Sequence, residues 1–282
     1  MELWYALVDL LPFEWAQPGH MLFMKNALLA VLVISPLFGL LSTMVVQSRM
    51  SFFSDALGHS AFTGMAIGSL TGLLVEPVWC AVLFAVAFAL LFTLVHRRTN
   101  LASDTVIGVF SSTAVALGIF LATLDGGSFT RFNVLLIGDI LSVEPGKIAL
   151  LAGILTLVLV LWTVAFNGMM LSAVHPALAD SRGVRVFWQE AALNVAVAVV
   201  VTVSMTWVGL LVINSLLVLP AAAGRNLARN VRQYHLFSVL GAVVCGIGGL
   251  MLSYYVGVSA GAAITLCLAV WFAAAFLLGR RR

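Results

Sequence analysis

Residues 78–95 read VWCAVLFAVAFALLFTLV, without one charged side chain. A membrane-crossing helix needs about 20 predominantly apolar residues, and such a run has no stable place in water. Runs of this kind recur at 22–47, 50–75, 104–124, 147–167, 187–208, 234–253 and 258–278. A shorter one, 209–223, contains Pro220 and is expected to be a broken or half-length helix. The whole chain agrees: of its 282 residues 62% are hydrophobic and 9% charged, against roughly 25% charged residues in soluble domains. A mean hydropathy of +1.13 excludes a soluble globular domain and a disordered chain. It also excludes a nucleic-acid binder, despite a pI near 9.0. The expected fold is an all-α polytopic membrane protein with eight or nine transmembrane helices, residues 1–282 forming one membrane domain.

The basic residues predict the orientation. If nine segments cross, all of the 14 Lys and Arg except Lys25, Arg131 and Lys147 fall on one side. The other side collects Glu2, Asp9, Glu14, Glu76, Asp125, Asp139 and Glu144. The positive-inside rule then places the C-terminus in the cytoplasm. With eight spans the parity fails. Residues 131–141 are too short to span and are expected to form an interfacial or re-entrant helix. Residues 1–20 lack a basic region and a cleavage site, so no signal peptide is expected there. They read as a short amphipathic segment on the membrane surface. The three cysteines, Cys80, Cys245 and Cys267, are isolated in apolar runs and read as small buried hydrophobes.

The second span alone carries ionisable residues at depth. A charged group at the bilayer centre costs at least about 2.5 kcal/mol. With Arg49 at the interface, Asp55 lies about 9 Å and His59 about 15 Å beyond it, near the middle of a core about 30 Å thick. At i and i+4 they share one helix face. A carboxylate and an imidazole make half of a metal site, and two copies of the chain would give four ligands. Thr63 continues the face. The same residues also fit a proton relay, or an N-cap at Ser54 and Asp55 with a buried neutral His59. In the same span Ser60, Gly64, Gly68 and Gly72 form a small-residue stripe for close helix packing, within the chain or at a dimer seam.

Other polar residues are weaker candidates. Asn214 and Ser215 precede Pro220. Glu190 and Asn194 are spaced for a structural hydrogen bond, and His20, His96 and His235 are expected to be solvated at membrane edges. In residues 174–183, VHPALADSRG, Pro176 suits a first helical turn and Gly183 the position just past a helix end. A short cytoplasmic helix follows. No phosphate-binding G-x-x-x-x-G-K-[ST] occurs, nor any hydrolase or zinc-peptidase motif. If ATP drives transport, another chain hydrolyses it.

Five stretches, in order, resemble the permease subunits of bacterial ABC importers for zinc and manganese, the ABC-3 type, with the zinc-uptake permease most similar. They are RMSFFSDALGHSAFTG (49–64), DTVIGVFSSTAVALGI (104–119), IGDILSVEP (137–145), HPALADSRGV (175–184) and VGLLVINSLLVLPAAAGR (208–225). The sequence departs from the family pattern at Gly58, Ser60, His175 and Pro176, and its segment before Lys25 is longer. The resemblance implies a homodimeric permease in the bacterial cytoplasmic (inner) membrane. It implies two cytoplasmic ATPase subunits and an extracytoplasmic solute-binding protein that delivers the metal. Asp55 and His59 become the metal-path residues. His175, Pro176, Ala177, Leu178, Ala179, Asp180 and Gly183 become the helix that couples to the ATPase. The cargo is a divalent metal, zinc ahead of manganese, with no permanent cofactor and ATP on the partner subunit. Rival readings are a manganese or iron permease of the same type, a proton-coupled secondary transporter, a permease for a bulky chelate and an intramembrane enzyme.

Overall fold

The computed structural model describes residues 2–10, 12–17, 21–71, 77–99, 101–124 and 138–279, in which every regular element is helical. In chain order these are α1 (Glu2–Val8), α2 (Leu22–Gln47), α3 (Phe53–Thr71), α4 (Pro77–Arg98), α5 (Ser103–Leu124) and α6 (Pro145–Val174), then α7 (Pro176–Ser181), α8 (Val186–Val208), α9 (Leu210–Leu227), α10 (Val231–Val256) and α11 (Ala260–Gly279). Single 3-10 turns stand at Glu14–Ala16 and Ile140–Ser142. Among the described residues 8 helices are long and apolar enough to cross a membrane. Helix α3 is outside that set because Asp55, His59 and its small polar residues dilute its hydropathy. It packs chiefly between α4 and α5 and also touches α8 and α9.

The expected break at Pro220 is absent. Helix α9 runs through that proline to Leu227, as α2 runs through Pro36. A helix-interior proline costs about 3 kcal/mol, and in α9 packing offsets it, since Pro220 and Ala221 are both buried. The break lies at Gly209, whose φ of 82° and ψ of 149° belong to a region essentially reserved for glycine.

The N-terminal segment does more than lie on a surface. Val8, Trp15 and Ala16 are buried. Lys25, only 1% exposed, pairs with Asp9 and donates to the Gln17 carbonyl at 3.0 Å. Trp4 Nε1 donates to the Lys25 carbonyl at 2.9 Å. A buried ammonium needs such partners, so the segment folds over the start of α2 to supply them. His20 and the 131–137 part of the expected re-entrant stretch lie outside the described residues.

The small-residue stripe of α3 includes a contact within the chain. A Cβ on Gly64 would stand 2.6 Å from the Ala81 Cα and 2.9 Å from the Phe84 Cβ of α4. Gly72 lies outside the described residues. Gly64→Leu is expected to wedge α3 from α4 at a cost of about 1–3 kcal/mol, seen as a lower thermal midpoint of the purified chain. An unchanged midpoint would contradict this helix pair. The α4–α8 seam is tied by Asn194 Nδ2 donating to Thr93 Oγ1 at 2.8 Å and by Arg97 Nε 3.3 Å from the Glu190 carboxylate. Glu190 and Asn194 therefore do serve structure, but each bonds across to α4.

Candidate metal-path site

The chain enters α3 through a tight reversal. Arg49 adopts a left-handed φ of 56°, its N–H bonding to the Val46 carbonyl at 3.2 Å and that of Met50 to the Val45 carbonyl at 3.0 Å. This paired closure of a helix end is usually built on glycine. Residues 50–52 form a turn, so α3 starts at Phe53 and not at the interface. Its depth comes from its neighbour: the Phe53 ring lies 4.8 Å from that of Phe92, which is about 9 Å along α4 from Arg98. Adding the rise within α3 puts Asp55 about 12 Å and His59 about 18 Å from that end. Packing against α4 thus sets both residues about 3 Å further from the basic helix end than a count from Arg49 does.

Asp55 sits in the first turn of α3, where the helix dipole favours a carboxylate. His59 Nε2 lies 3.4 Å from Asp55 Oδ2. The other oxygen, Oδ1, accepts a hydrogen bond from Asn214 Nδ2 of α9 at 3.3 Å. Helices α3 and α9 are antiparallel here. A Cβ on Gly58 would touch the Leu210 side chain at 2.6 Å, and one turn further along α9 Asn214 reaches Asp55. Gly58, one of the departures from the family pattern, is thus where α9 closes on α3. Asp55 bonds to side chains, and the Ser54 hydroxyl caps nothing, so the N-cap reading fails.

Thr63 does not join the site. It is fully buried, and its hydroxyl lies 2.7 Å from the Ala114 carbonyl of α5 and 3.2 Å from the His59 carbonyl. Asn214, a weaker candidate in the sequence, does join. Its polarity inside an apolar helix was the available signal, but nothing local named its partner. Ser215 turns aside to Thr265 Oγ1 of α11 at 3.1 Å.

The Asp55 side chain is 44% exposed and that of His59 19%. An open carboxylate at mid-depth is not a lipid-facing group; it belongs against a polar path or a second polar surface. Among the described residues no three His, Cys, Asp or Glu side chains cluster. One chain thus offers a carboxylate, an imidazole and an amide, short of the four ligands of a closed zinc site.

Helix α7 forms where Pro176 and Gly183 predict it. Pro176 opens it. Gly183, at φ 75°, closes it with Gly183 N–H bonded to the Asp180 carbonyl and Val184 N–H to that of Ala179, both at 3.0 Å. Ala179 is buried as the anchor, while His175, Pro176, Ala177, Leu178, Asp180 and Gly183 are exposed. The edge histidines are less solvated than expected. His96 Nε2 lies 3.0 Å from Ser103 Oγ, and His235 sits edge-on to Trp162 and Phe166.

The family model described as the ABC 3 transport family matches residues 20–279. The manganese import system permease protein ScaB of Streptococcus gordonii is 27% identical over 92% of this chain and 92% of its own. The high-affinity zinc uptake system membrane protein ZnuB of Haemophilus influenzae is 28% identical over 87% of this chain and 94% of its own. Among solved structures, PsaBC from Streptococcus pneumoniae in complex with Fab matches with a TM-score of 0.76 and 26% identity, over 98% of this chain and 95% of that one. The zinc and manganese relatives are equally similar, so likeness alone does not choose the metal.

Proposed function

Because this chain belongs to the ABC 3 transport family, we propose that it is the permease subunit of an ATP-binding-cassette importer carrying a divalent transition metal, zinc ahead of manganese, into the cytoplasm. The observation that carries this reading is the Asp55–His59 pair, part-exposed on one flank of α3. A second copy brought against that flank would complete a set of two carboxylates and two imidazoles. Those ligands accept zinc and manganese, and both imidazole and the affinity order favour zinc. Asn214 would hold the Asp55 carboxylate toward the path. An ion that must leave again requires a site that exists in one conformation only.

The exposed rim of α7 suits a soluble partner, and with the C-terminus cytoplasmic it faces the two ATPase subunits. Residues 1–282 form one permease domain in this reading. ATP hydrolysis belongs to the separate chains, and a solute-binding protein delivers the ion from outside. Element analysis of cells depleted of zinc and manganese, with this chain restored together with an ATPase and a solute-binding protein, tests the metal. Zinc is expected to recover and manganese not. Recovery of manganese alone would reassign the cargo, and recovery of neither would overturn the importer reading. The Asp55–His59 spacing also fits proton exchange. That reading predicts uptake that collapses with an uncoupler at unchanged ATP and survives loss of the ATPase.

A further inference from the structure

Helices α2, α6 and α10 line an open groove of about 920 Å³, at the upper end of the roughly 300–1,000 Å³ typical of ligand pockets. Its wall is mostly apolar, with Trp162, Phe166 and Val174 from α6 and Leu40 from α2, interrupted by Thr163 and Asn167. Arg232 and His235 of α10 complete it. None of these helices carries Asp55, His59 or Asn214, so the groove is separate from the metal path. From Trp162 to Val174 the wall extends about 18 Å. One leaflet of a hydrocarbon core about 30 Å thick is about 15 Å deep. Helix α6 ends at Val174 and α10 begins at Val231, and both residues line the groove, which fixes its polar mouth at that membrane face.

The mouth is cationic and uncommitted. Arg232 is exposed, and among the described residues no carboxylate lies within ion-pair distance of it. Arg225 and Arg229 are exposed nearby in sequence. His235 is turned inward, its Nδ1 2.8 Å from the Val231 carbonyl, and its ring fills the floor against Trp162 and Phe166. A leaflet-deep, mostly apolar wall with one free guanidinium at its mouth is complementary in charge and polarity to an anionic phospholipid. We infer that the groove holds one such lipid, its acyl chain along Trp162, Phe166 and Leu40 and its phosphate at Arg232.

Trp162 is a built-in reporter. The full chain is placed in phosphatidylcholine nanodiscs titrated with phosphatidylglycerol or phosphatidylcholine bearing brominated acyl chains, which quench tryptophan on contact. The difference in emission between the native chain and Trp162→Phe isolates the groove. Half-quenching is expected at about fivefold lower mole fraction for the anionic lipid, equivalent to about 1 kcal/mol for one arginine near an anionic headgroup. Arg232→Glu, at an exposed position, is expected to abolish the difference between the lipids. Equal quenching by both lipids in the native chain, a preference surviving Arg232→Glu, or no quenching by either would overturn the assignment; the last would mean that another surface covers the groove. If Trp162→Phe fails to fold, native mass spectrometry of lipid retained by the native chain and by Arg232→Glu reads the same preference.

Discussion

His59→Ala is expected to lower zinc uptake by more than about a hundredfold at equal membrane abundance. The bound comes from comparison: loss of an outer-shell partner costs about 10–100-fold in metal affinity or activity, and in the proposed symmetric pair of chains this change would remove two proposed ligands. Because the His59 side chain is only 19% exposed, membrane abundance is measured beside uptake to separate loss of fold from loss of transport. Asp55→Asn should be nearly as damaging, since an amide keeps a bond to Asn214 but loses the charge that offsets the ion. Asn214→Leu should fall in the 10–100-fold range, as it frees the Asp55 carboxylate without removing a proposed ligand. The three variants are ranked by element analysis of metal-depleted cells beside an immunoblot of membrane fractions. Full uptake by His59→Ala would make this residue a packing histidine and leave the path to be sought elsewhere.

Gly138→Ala is expected to be the most destabilising small substitution among the described residues. Gly138 has a left-handed φ of 61°, which costs an alanine roughly 1–2 kcal/mol. A Cβ there would also collide with the Gly209 backbone, which cannot move aside like a side-chain tip. Gly209 cannot relieve the clash easily, since its own φ and ψ are accessible essentially to glycine alone. The two glycines form a backbone-to-backbone contact at the joint that aims α9, and through it Asn214, at α3. Gly138→Ala should lower the thermal midpoint by several degrees, at about 2–4 °C per kcal/mol for chains somewhat smaller than this one. Gly153→Ala is the control: it has open space around its Cβ, lies in the middle of α6, and should be neutral or stabilising. Equal midpoints for the two variants would show that the joint yields.

Much of this architecture was legible because a bilayer imposes a length. The runs at 22–47, 104–124 and 187–208 correspond to α2, α5 and α8 to within a residue at each end. Helix α7 was legible from Pro176 and Gly183, since both act through their own backbone dihedrals. The errors share a cause. The break was sought at Pro220, where local cost is high, but packing around a buried proline offset that cost. It was missed at Gly209, where the conformation follows from how α8 and α9 must cross Gly138. Lys25 reads in the sequence only as a charge on the side opposite most basic residues, because nothing in its own segment shows that Asp9 and the Gln17 carbonyl fold back onto it.

The site divides in the same way. The i, i+4 spacing of Asp55 and His59 and their presence in an otherwise apolar span are properties of one helix, and a helix is fixed by its own sequence. Thr63 shares that helix yet faces α5, because Gly118 leaves room for it and the Ala114 carbonyl accepts its proton. Asn214 is distant in sequence yet touches Asp55, because Gly58 lets α9 approach. The membrane class, the bounds of α2, α5 and α8, the short helix at Pro176 and the i, i+4 pairing of Asp55 with His59 follow from local periodicity and the cost of charge in lipid, whereas the 147–167 run falls short of α6 at both ends. The tertiary structure alone decided which polar side chains meet, where the chain breaks and which face stays open, because these depend on how closely two backbones can approach, and that is a property of pairs of helices.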